Sequence, residues 1–236
     1  KGESFVFDVA AFYSKWLRDI QDAQNEAGSI PDVAPTYWQI YSDNVTWAGT
    51  YIILTDMLYR QFGDKSNIAR HYESMKKYIT YMKGRYQKNN LMTKDTYGDW
   101  CAPPENLEFI HSKDPKRITS GELISTTYFY LVNTMMKRFA DMLQKPEDAK
   151  MFAANANQMK KGLNDHYFDK NRMAYSNNSL TSSLLPLAFD MVPEEYKQQI
   201  FDNALYKILS EADGHISCGL VGCQFINRVM SDFGRP

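Results

Sequence analysis

Cysteine is scarce in this sequence, and the few cysteines that occur are widely spaced. The 236 residues include 3 cysteines, Cys101, Cys218 and Cys223, and no CxxC pair. A disulfide scaffold needs more cysteines than this, and a structural zinc site needs cysteine or histidine pairs at short spacing. The sequence therefore excludes a disulfide scaffold, and we expect buried or unreactive thiols.

Long apolar runs and an excess of one charge are also absent. The apolar stretches, such as residues 51–54 and 184–187, are far shorter than the roughly 20 residues that cross a bilayer. Lys and Arg number 27 against 28 Asp and Glu, with the two signs interspersed. The first residues, from Lys1 and Gly2, lack the apolar core and cleavage site of a signal peptide. We therefore expect a soluble globular protein that binds neither a membrane nor nucleic acid.

Motifs that hold cofactors or metals are missing as well. The sequence contains no nucleophile elbow, phosphate loop, dinucleotide fingerprint or HExxH zinc motif, so we predict no cofactor and no metal. Aromatic residues, by contrast, make up 14% of the chain. Pyranose rings stack on flat aromatic faces, although core packing uses such rings too. Aromatic and acidic loops without these motifs fit carbohydrate hydrolysis, in which one carboxyl group protonates the leaving oxygen and another activates water.

Apolar residues recur at helical spacing along most of the chain. Residues 9–20, for example, form one apolar stripe of an amphipathic helix. Capping signals mark two other helix starts: Ser66 precedes one helix, and Thr119 with Glu122 has the spacing of a capping box. No strand longer than a few residues is expected, so the predicted fold class is all-α. The eight predicted helices cover residues 9–20, 44–62, 67–82, 119–143, 146–163, 183–191, 193–211 and 220–233.

The connections between these helices are of two kinds. Helices two and three, four and five, and six and seven are joined by a few residues each. The alternate connections are longer and cover residues 28–43, 89–118, 169–181 and 212–219. Because consecutive helices run antiparallel, we expect all the long loops, which usually carry function, at one end of the bundle.

This alternation predicts an (α/α)6 toroid of helical hairpins. Residues 1–236 would supply roughly four of its six hairpins and thus form a partial domain. A helical-repeat solenoid is the competing architecture, since it also stacks helix pairs. The sequence shows no repeat of 34 or 40 residues, and its loops vary in length, which favours the toroid.

Acidic and aromatic residues stand together twice in the long loops. Asp43 and Trp47 lie where the second helix begins; Asp43 suits a helix cap as well as a ligand contact, and Trp47 suits the core as well as a sugar platform. Asp99 and Trp100 follow Tyr97 in the longest loop. There the ring would take the apolar face of a sugar while the carboxylate accepts hydrogen bonds from hydroxyls. Loop anchoring is the alternative role of the second pair.

A histidine before the last helix is the remaining candidate. His215 lies in the loop 214–219 and can donate a hydrogen bond to a sugar hydroxyl. A structural or solvated histidine is the alternative.

A series of segments resembles the bacterial α-L-rhamnosidases. Each motif is weak by itself, but the series keeps its order over nearly the whole chain. Its members are FYSKWLRDI at 12–20, GSIPDVAP at 28–35, Trp47 followed by LYRQFGD at 58–64, YGDW at 97–100, LISTTYFY at 123–130 and GHISCGLVG at 214–222.

The resemblance implies an (α/α)6 catalytic barrel within a larger enzyme that has flanking β-rich domains. It implies inverting hydrolysis of terminal α-L-rhamnose from oligosaccharides or glycosides, in the periplasm or outside the cell. It also implies that Trp47 and Trp100 contact rhamnose, with Asp99 beside the second ring. The family often has an acidic residue shortly after the first of these tryptophans, whereas this chain reads AGT at 48–50.

The resemblance places the two catalytic carboxyl groups outside this chain. The general acid would precede the segment that corresponds to residues 1–10, and the general base would lie beyond the equivalent of Pro236. The loop acids considered within the chain, Asp43, Asp99 and Glu105, match neither position. Two other hypotheses stay open: a non-catalytic helical domain that binds sugar or acts as a scaffold, and a related toroid glycosidase that acts on another sugar.

Overall fold

The computed structural model describes residues 2–104, 107–109, 114–115 and 117–235 and is mostly helical. This confirms the predicted all-α class. Ten α-helices occur in the described residues: α1 (Ala10–Asp22), α2 (Val45–Ala48), α3 (Thr50–Phe62), α4 (Ser66–Tyr86), α5 (Gly121–Met142), α6 (Pro146–Tyr167), α7 (Leu180–Ala188), α8 (Lys197–Tyr206), α9 (Leu220–Cys223) and α10 (Ile226–Asp232).

Two small hairpins and four short helical turns complete the described elements. Strand β1 (Gln87–Lys88) pairs with β2 (Leu91–Met92), and β3 (Phe168–Asp169) pairs antiparallel with β4 (Ala174–Tyr175). Single turns of 3₁₀-helix cover Gly2–Phe5, Leu107–Phe109 and Glu194–Tyr196, and a π-helical turn covers Lys207–Glu211.

Two predicted helices are interrupted. The helix expected at 44–62 is divided at Gly49 into α2 and α3, and the one expected at 220–233 is divided between Cys223 and Ile226 into α9 and α10. An added Cβ at Gly49 would overlap the carbonyl oxygen of Val45, so the chain can turn this tightly only at glycine. Apolar periodicity continues through both interruptions, which is why it did not predict them.

Two predicted caps are displaced by one or two residues. Ser66 is the first residue of α4, and the carboxylate of Asp64 accepts the hydrogen bond from its amide nitrogen at 2.7 Å. The hydrogen bonds from Ser66 hold the pKa of Asp64 below its usual value. At α5, the hydroxyl of Ser120 accepts from the amide of Leu123 at 3.4 Å. Thr119, the predicted cap, instead bonds the hydroxyl of Ser179 at 2.7 Å.

The chain divides into two compact units. The first comprises Lys1–Lys88 with Tyr128–Gln158, and its α1, α3 and α4 pack against one another. The stripe predicted for α1 is confirmed in part: Tyr13, Leu17 and Ile20 are buried, whereas Phe12, another of its predicted members, is exposed. The first unit also contains the predicted tight turns after α3 and α5, and Gly63 ends α3 at a φ of 71°.

The second unit comprises Asn89–Thr127 with Met159–Pro236. Helix α7 packs against α8, α9 and α10, and Leu184 and Leu185 of α7 are fully buried. Phe201 and Phe233 stack with ring centroids 4.2 Å apart. The placement of all long loops at one end of the bundle stays a prediction. In the part of the chain that the structure describes, no helix is long and apolar enough to cross a membrane.

A buried histidine in the first unit gives a stability that depends on pH. His71 is 0% exposed, and its Nδ1 lies 2.7 Å from Gln21 Oε1 and 2.9 Å from Tyr51 Oη. Its Nε2 has no hydrogen-bond partner among the described residues. Burial, with a smaller contribution from the positive charges of Arg70 and Arg18, lowers the pKa of His71 from 6.5 to about 4.

We expect acid to destabilise the folded chain through His71. As the pH falls below 6.5, His71 becomes protonated in the unfolded state, whereas in the folded state it becomes protonated only near pH 4. The titration of His71 should therefore lower the free energy of unfolding by about 2–3 kcal/mol between pH 7 and pH 4. Urea unfolding of His71→Asn should show a smaller loss over this range than the wild type does. His215→Asn, which changes an exposed histidine, is the control, and equal pH dependence in all three proteins would contradict the assignment.

Candidate functional site

Trp100 projects from a tightly turned part of the longest loop. Its side chain is 55% exposed. Gly98 and Cys101, on either side, both have a positive φ, of 62° and 60°. The amide of Gly98 donates to Asp95 Oδ1 at 2.6 Å, which closes a turn just before Asp99. An exposed indole is thus presented by backbone whose direction is fixed on both sides.

The carboxylate of Asp99 binds the chain segment that precedes α9. Its Oδ2 accepts from the amide of Gly219 at 2.8 Å and from the hydroxyl of Thr181. Its Oδ1 accepts from the amides of Val221 at 3.0 Å and Gly222 at 3.2 Å. Hydrogen bonds to an ionised carboxylate are stronger than those between neutral groups. The loop that carries Trp100 is therefore tied to residues more than 100 positions later in the chain.

Two glycines allow this close approach. A Cβ at Gly219 would overlap the carbonyl oxygens of Asp99 and Trp100, and a Cβ at Gly222 would overlap the hydroxyl of Thr181. Neither glycine has a positive φ, so both are required for space rather than for backbone conformation. The GLVG sequence at 219–222 thus has a steric explanation within the second unit.

His215 and Tyr97 belong to the same unit and are exposed. The Nδ1 of His215 lies 3.0 Å from the carbonyl oxygen of Ala212, which can only accept, so Nδ1 carries a proton. The hydrogen bond from His215 to a sugar hydroxyl stays a prediction. The side chain of Tyr97 is 36% exposed.

Cys218, by contrast, is buried beside the Asp99 carboxylate. Burial, followed by the negative charge of Asp99, raises the pKa of its thiol to about 12. The thiol is therefore protonated at neutral pH and unreactive, as the sequence predicts for at least this cysteine. Cys101 and Cys223 are exposed free cysteines.

Asp43 does not cap the second helix. The cap is the next residue, Asn44, whose Oδ1 accepts from the amide of Thr46 at 3.1 Å. Asp43 has a φ of 55° and is only 6% exposed. The carboxylate of Asp43 binds side-chain hydroxyl groups of other segments instead, so the capping role is wrong.

The buried Asp43 carboxylate collects three hydroxyl donors. It accepts from Tyr81 Oη at 2.7 Å, from Tyr86 Oη and from the hydroxyl of Ser29. Burial raises the pKa of both tyrosines, and hydrogen bonding to Asp43 raises it further. The guanidinium of Arg85 lies over both tyrosine rings, 5.8 Å and 5.6 Å from their centroids. Ser29 belongs to the segment 28–35 quoted above, whereas no sequence pattern indicated Tyr81, Tyr86 or Arg85.

Trp47 lies in α2, four residues after Asp43. Its side chain is 38% exposed, so it is partly available at the surface and partly packed. The backbone that leads into α2 is fixed by Asp43 and by the Asn44 cap. The first unit thus holds Trp47 on a short helix whose start is anchored by buried hydrogen bonds.

We expect Asp43→Ala to destabilise the protein by about 2–4 kcal/mol. Three hydroxyl groups would lose their acceptor, and these groups are partly or fully buried. Urea unfolding of the full-length protein measures this change. Asp141→Ala is the control, since Asp141 pairs with Lys137 at the surface and its side chain is 49% exposed. A surface pair of this kind contributes at most about 1 kcal/mol. Equal effects of the two substitutions would show that the Asp43 cluster adds nothing to stability.

Of the three loop acids considered, two are occupied by internal hydrogen bonds. Asp43 and Asp99 each bind several donors of their own unit. Glu105, the third, lies outside the described residues. Within the residues that the structure describes, no group of three or more His, Cys, Asp or Glu side chains is placed to hold a metal ion.

The sequence of this chain matches a protein-family model over its whole length. The model described as the bacterial α-L-rhamnosidase six-hairpin glycosidase domain matches residues 1–236. The chain belongs to this family. The resemblance inferred from the sequence motifs is confirmed, and so is the helical-hairpin fold class.

Curated α-L-rhamnosidases match nearly all of this chain. One from Alteromonas sp. is 30% identical over 233 residues, which cover 98% of this chain and 25% of the relative. One from Formosa agariphila is 28% identical over 231 residues, which cover 98% and 24% respectively. The chain therefore spans about a quarter of the length of the curated relatives that it matches.

Solved structures give the same result. The α-L-rhamnosidase from Dictyoglumus thermophilum superimposes with a TM-score of 0.90 at 34% identity, over 99% of this chain and 26% of that one. The α-L-rhamnosidase from Streptomyces avermitilis, solved in complex with L-rhamnose, has a TM-score of 0.85 at 24% identity. That match covers 97% of this chain and 20% of the Streptomyces chain, and at this identity it supports the fold alone.

Proposed function

We propose that this chain is part of an α-L-rhamnosidase that removes terminal α-L-rhamnose from oligosaccharides or glycosides with inversion. The observation that carries the proposal is the family match over the whole of residues 1–236. The complete enzyme is the polypeptide that contains these residues. We place it in the periplasm or outside the cell, with β-rich domains flanking this one, and assign it no cofactor.

The residues proposed to touch sugar are the exposed ones. Within the second unit, Trp100, Tyr97 and His215 supply a ring face, a phenol and an imidazole nitrogen. In the first unit, Trp47 is by itself the proposed sugar contact. Rings that stack on sugars need such partly exposed faces. Asp43 and Asp99 are proposed to hold these segments in place, because their oxygens are already bonded to donors within the chain.

The general acid and general base are proposed to come from outside residues 1–236. Inversion needs two carboxyl groups roughly 6.5–9.5 Å apart, one protonated and one ionised. Asp43 and Asp99 are both acceptors in dense hydrogen-bond networks, so neither is a suitable proton donor to a leaving group. The role of residues 1–236 is then to bind and orient the sugar.

The test is the activity of the complete enzyme on a panel of aryl glycosides. We expect turnover of 4-nitrophenyl α-L-rhamnoside and little turnover of the matching glucoside or uronide. Proton NMR of the first product should show the inverted anomer. Turnover of a different sugar would indicate another toroid glycosidase. Tight binding of rhamnose without turnover would indicate a binding or scaffold domain.

A further inference from the structure

The acceptor capacity of Asp99 is fully used inside the protein. An ionised carboxylate offers about four acceptor positions. In this structure each oxygen accepts two hydrogen bonds: Gly219 and Thr181 donate to Oδ2, and Val221 and Gly222 donate to Oδ1. Three of these donors are backbone amides, which cannot rotate to other partners. A sugar hydroxyl could bind this carboxylate only by displacing one of them and leaving it unpaired.

Asp99 joins three separate segments of the second unit. These are the turn that presents Trp100, the start of α7 at Thr181, and the segment from Gly219 into α9. A further hydrogen bond runs in parallel, since the amide of Leu220 donates to the carbonyl oxygen of Trp100 at 2.7 Å. The backbone of Trp100 therefore cannot shift without moving the segment that also carries His215, four residues before Gly219.

We propose that Asp99 is a positioning residue, and that with Thr181 it fixes the Trp100 turn and the His215 segment in the arrangement that binds sugar. This inference rests on the proposed function. Thr181 is only 1% exposed, so its hydroxyl does not reach a ligand. When Thr181 no longer donates, the segments separate more often. The apparent affinity then falls in proportion to the fraction of molecules in the binding arrangement.

The decisive variant is Thr181→Val in the complete enzyme. It keeps the shape of the side chain and removes the hydroxyl, which donates to Asp99 and also forms a hydrogen bond with Cys218. We expect KM for 4-nitrophenyl α-L-rhamnoside to rise about three- to thirtyfold, with kcat within about twofold. Thr181→Ser, which restores the hydroxyl, should return KM to near the wild-type value. Thr127→Val is the matched control. Thr127 is also buried, at 0% exposure, but its hydroxyl donates to the carbonyl oxygen of Ile124 in its own helix.

Amide hydrogen exchange supplies a readout that does not depend on activity. The amides of Gly219, Val221 and Gly222 are protected by Asp99. Mass spectrometry should therefore show faster exchange of peptides that span 214–223 in both Thr181→Val and Asp99→Asn. Thr127→Val should leave these peptides unchanged.

Two outcomes separate this inference from its alternatives. If Asp99→Asn raises KM while Thr181→Val leaves both KM and exchange unchanged, Asp99 binds the sugar directly and the positioning role is wrong. If the wild-type complete enzyme does not hydrolyse the rhamnoside, the proposed function fails. The exchange data then still decide whether Asp99 and Thr181 hold the 214–223 segment.

Discussion

The isolated 236-residue chain is expected to hydrolyse 4-nitrophenyl α-L-rhamnoside at least about a thousandfold more slowly than the complete enzyme. General acid and general base catalysis each contribute about 10²–10⁴-fold, and an inverting hydrolase needs both. Asp43 is 6% exposed and bonded to three hydroxyls, and Asp99 is bonded to three amides and a hydroxyl. A chain that binds the sugar but lacks both groups retains only the smaller contribution of binding and orientation.

The complete enzyme provides the control for this prediction, because a truncated chain can also lose activity by failing to fold. Circular dichroism must first show that the isolated chain is helical. In the complete enzyme, Asp43→Asn and Asp99→Asn should each keep kcat within about tenfold of the wild type, whereas loss of a catalytic carboxyl group costs about 10²–10⁴-fold. Turnover by the isolated chain within tenfold of the complete enzyme would place the catalytic pair inside residues 1–236. A thousandfold loss of kcat in either variant would also place a catalytic carboxyl group inside residues 1–236.

The helices could be predicted from sequence because their signal is local. The buried stripe of α1 repeats every three or four residues, and the tight turn after α3 is marked by Gly63. The break at Gly49 depends instead on how closely the backbone approaches the carbonyl oxygen of Val45. Periodicity contains no information about such contacts.

The site residues were identified by type, but their roles depend on distant partners. Asp99 binds backbone amides 120 to 123 positions later. Since nearly every residue type has such an amide, the sequence does not show which residues will bind Asp99. Asp43 and Asn44 are both good caps by residue type, and only the backbone angle of Asp43 decides between them. Thr181 left a weaker signal: it begins a run of three buried polar residues in a helix where apolar ones would be expected.

Trp100→Ala in the complete enzyme is expected to weaken sugar binding strongly while leaving the fold intact. The indole is 55% exposed, so its removal leaves little cavity in the protein, and the melting temperature should change by no more than about 2 °C. Loss of a stacking platform costs on the order of 1–3 kcal/mol, taking the magnitude known for aromatic contacts with nucleobases. KM for the aryl rhamnoside should therefore rise about 5- to 150-fold.

Two matched variants separate a sugar platform from a surface hydrophobe. Trp100→Phe keeps a ring face and should recover part of the affinity. Tyr206→Ala removes another aromatic side chain of the second unit, 58% exposed at the end of α8, and should leave KM unchanged. Because Asp99 and the carbonyl group of Trp100 hold the turn through groups that this substitution keeps, hydrogen exchange of residues 214–223 should stay at the wild-type rate in Trp100→Ala. An unchanged KM together with a large fall in melting temperature would show that Trp100 packs in the core and binds no sugar.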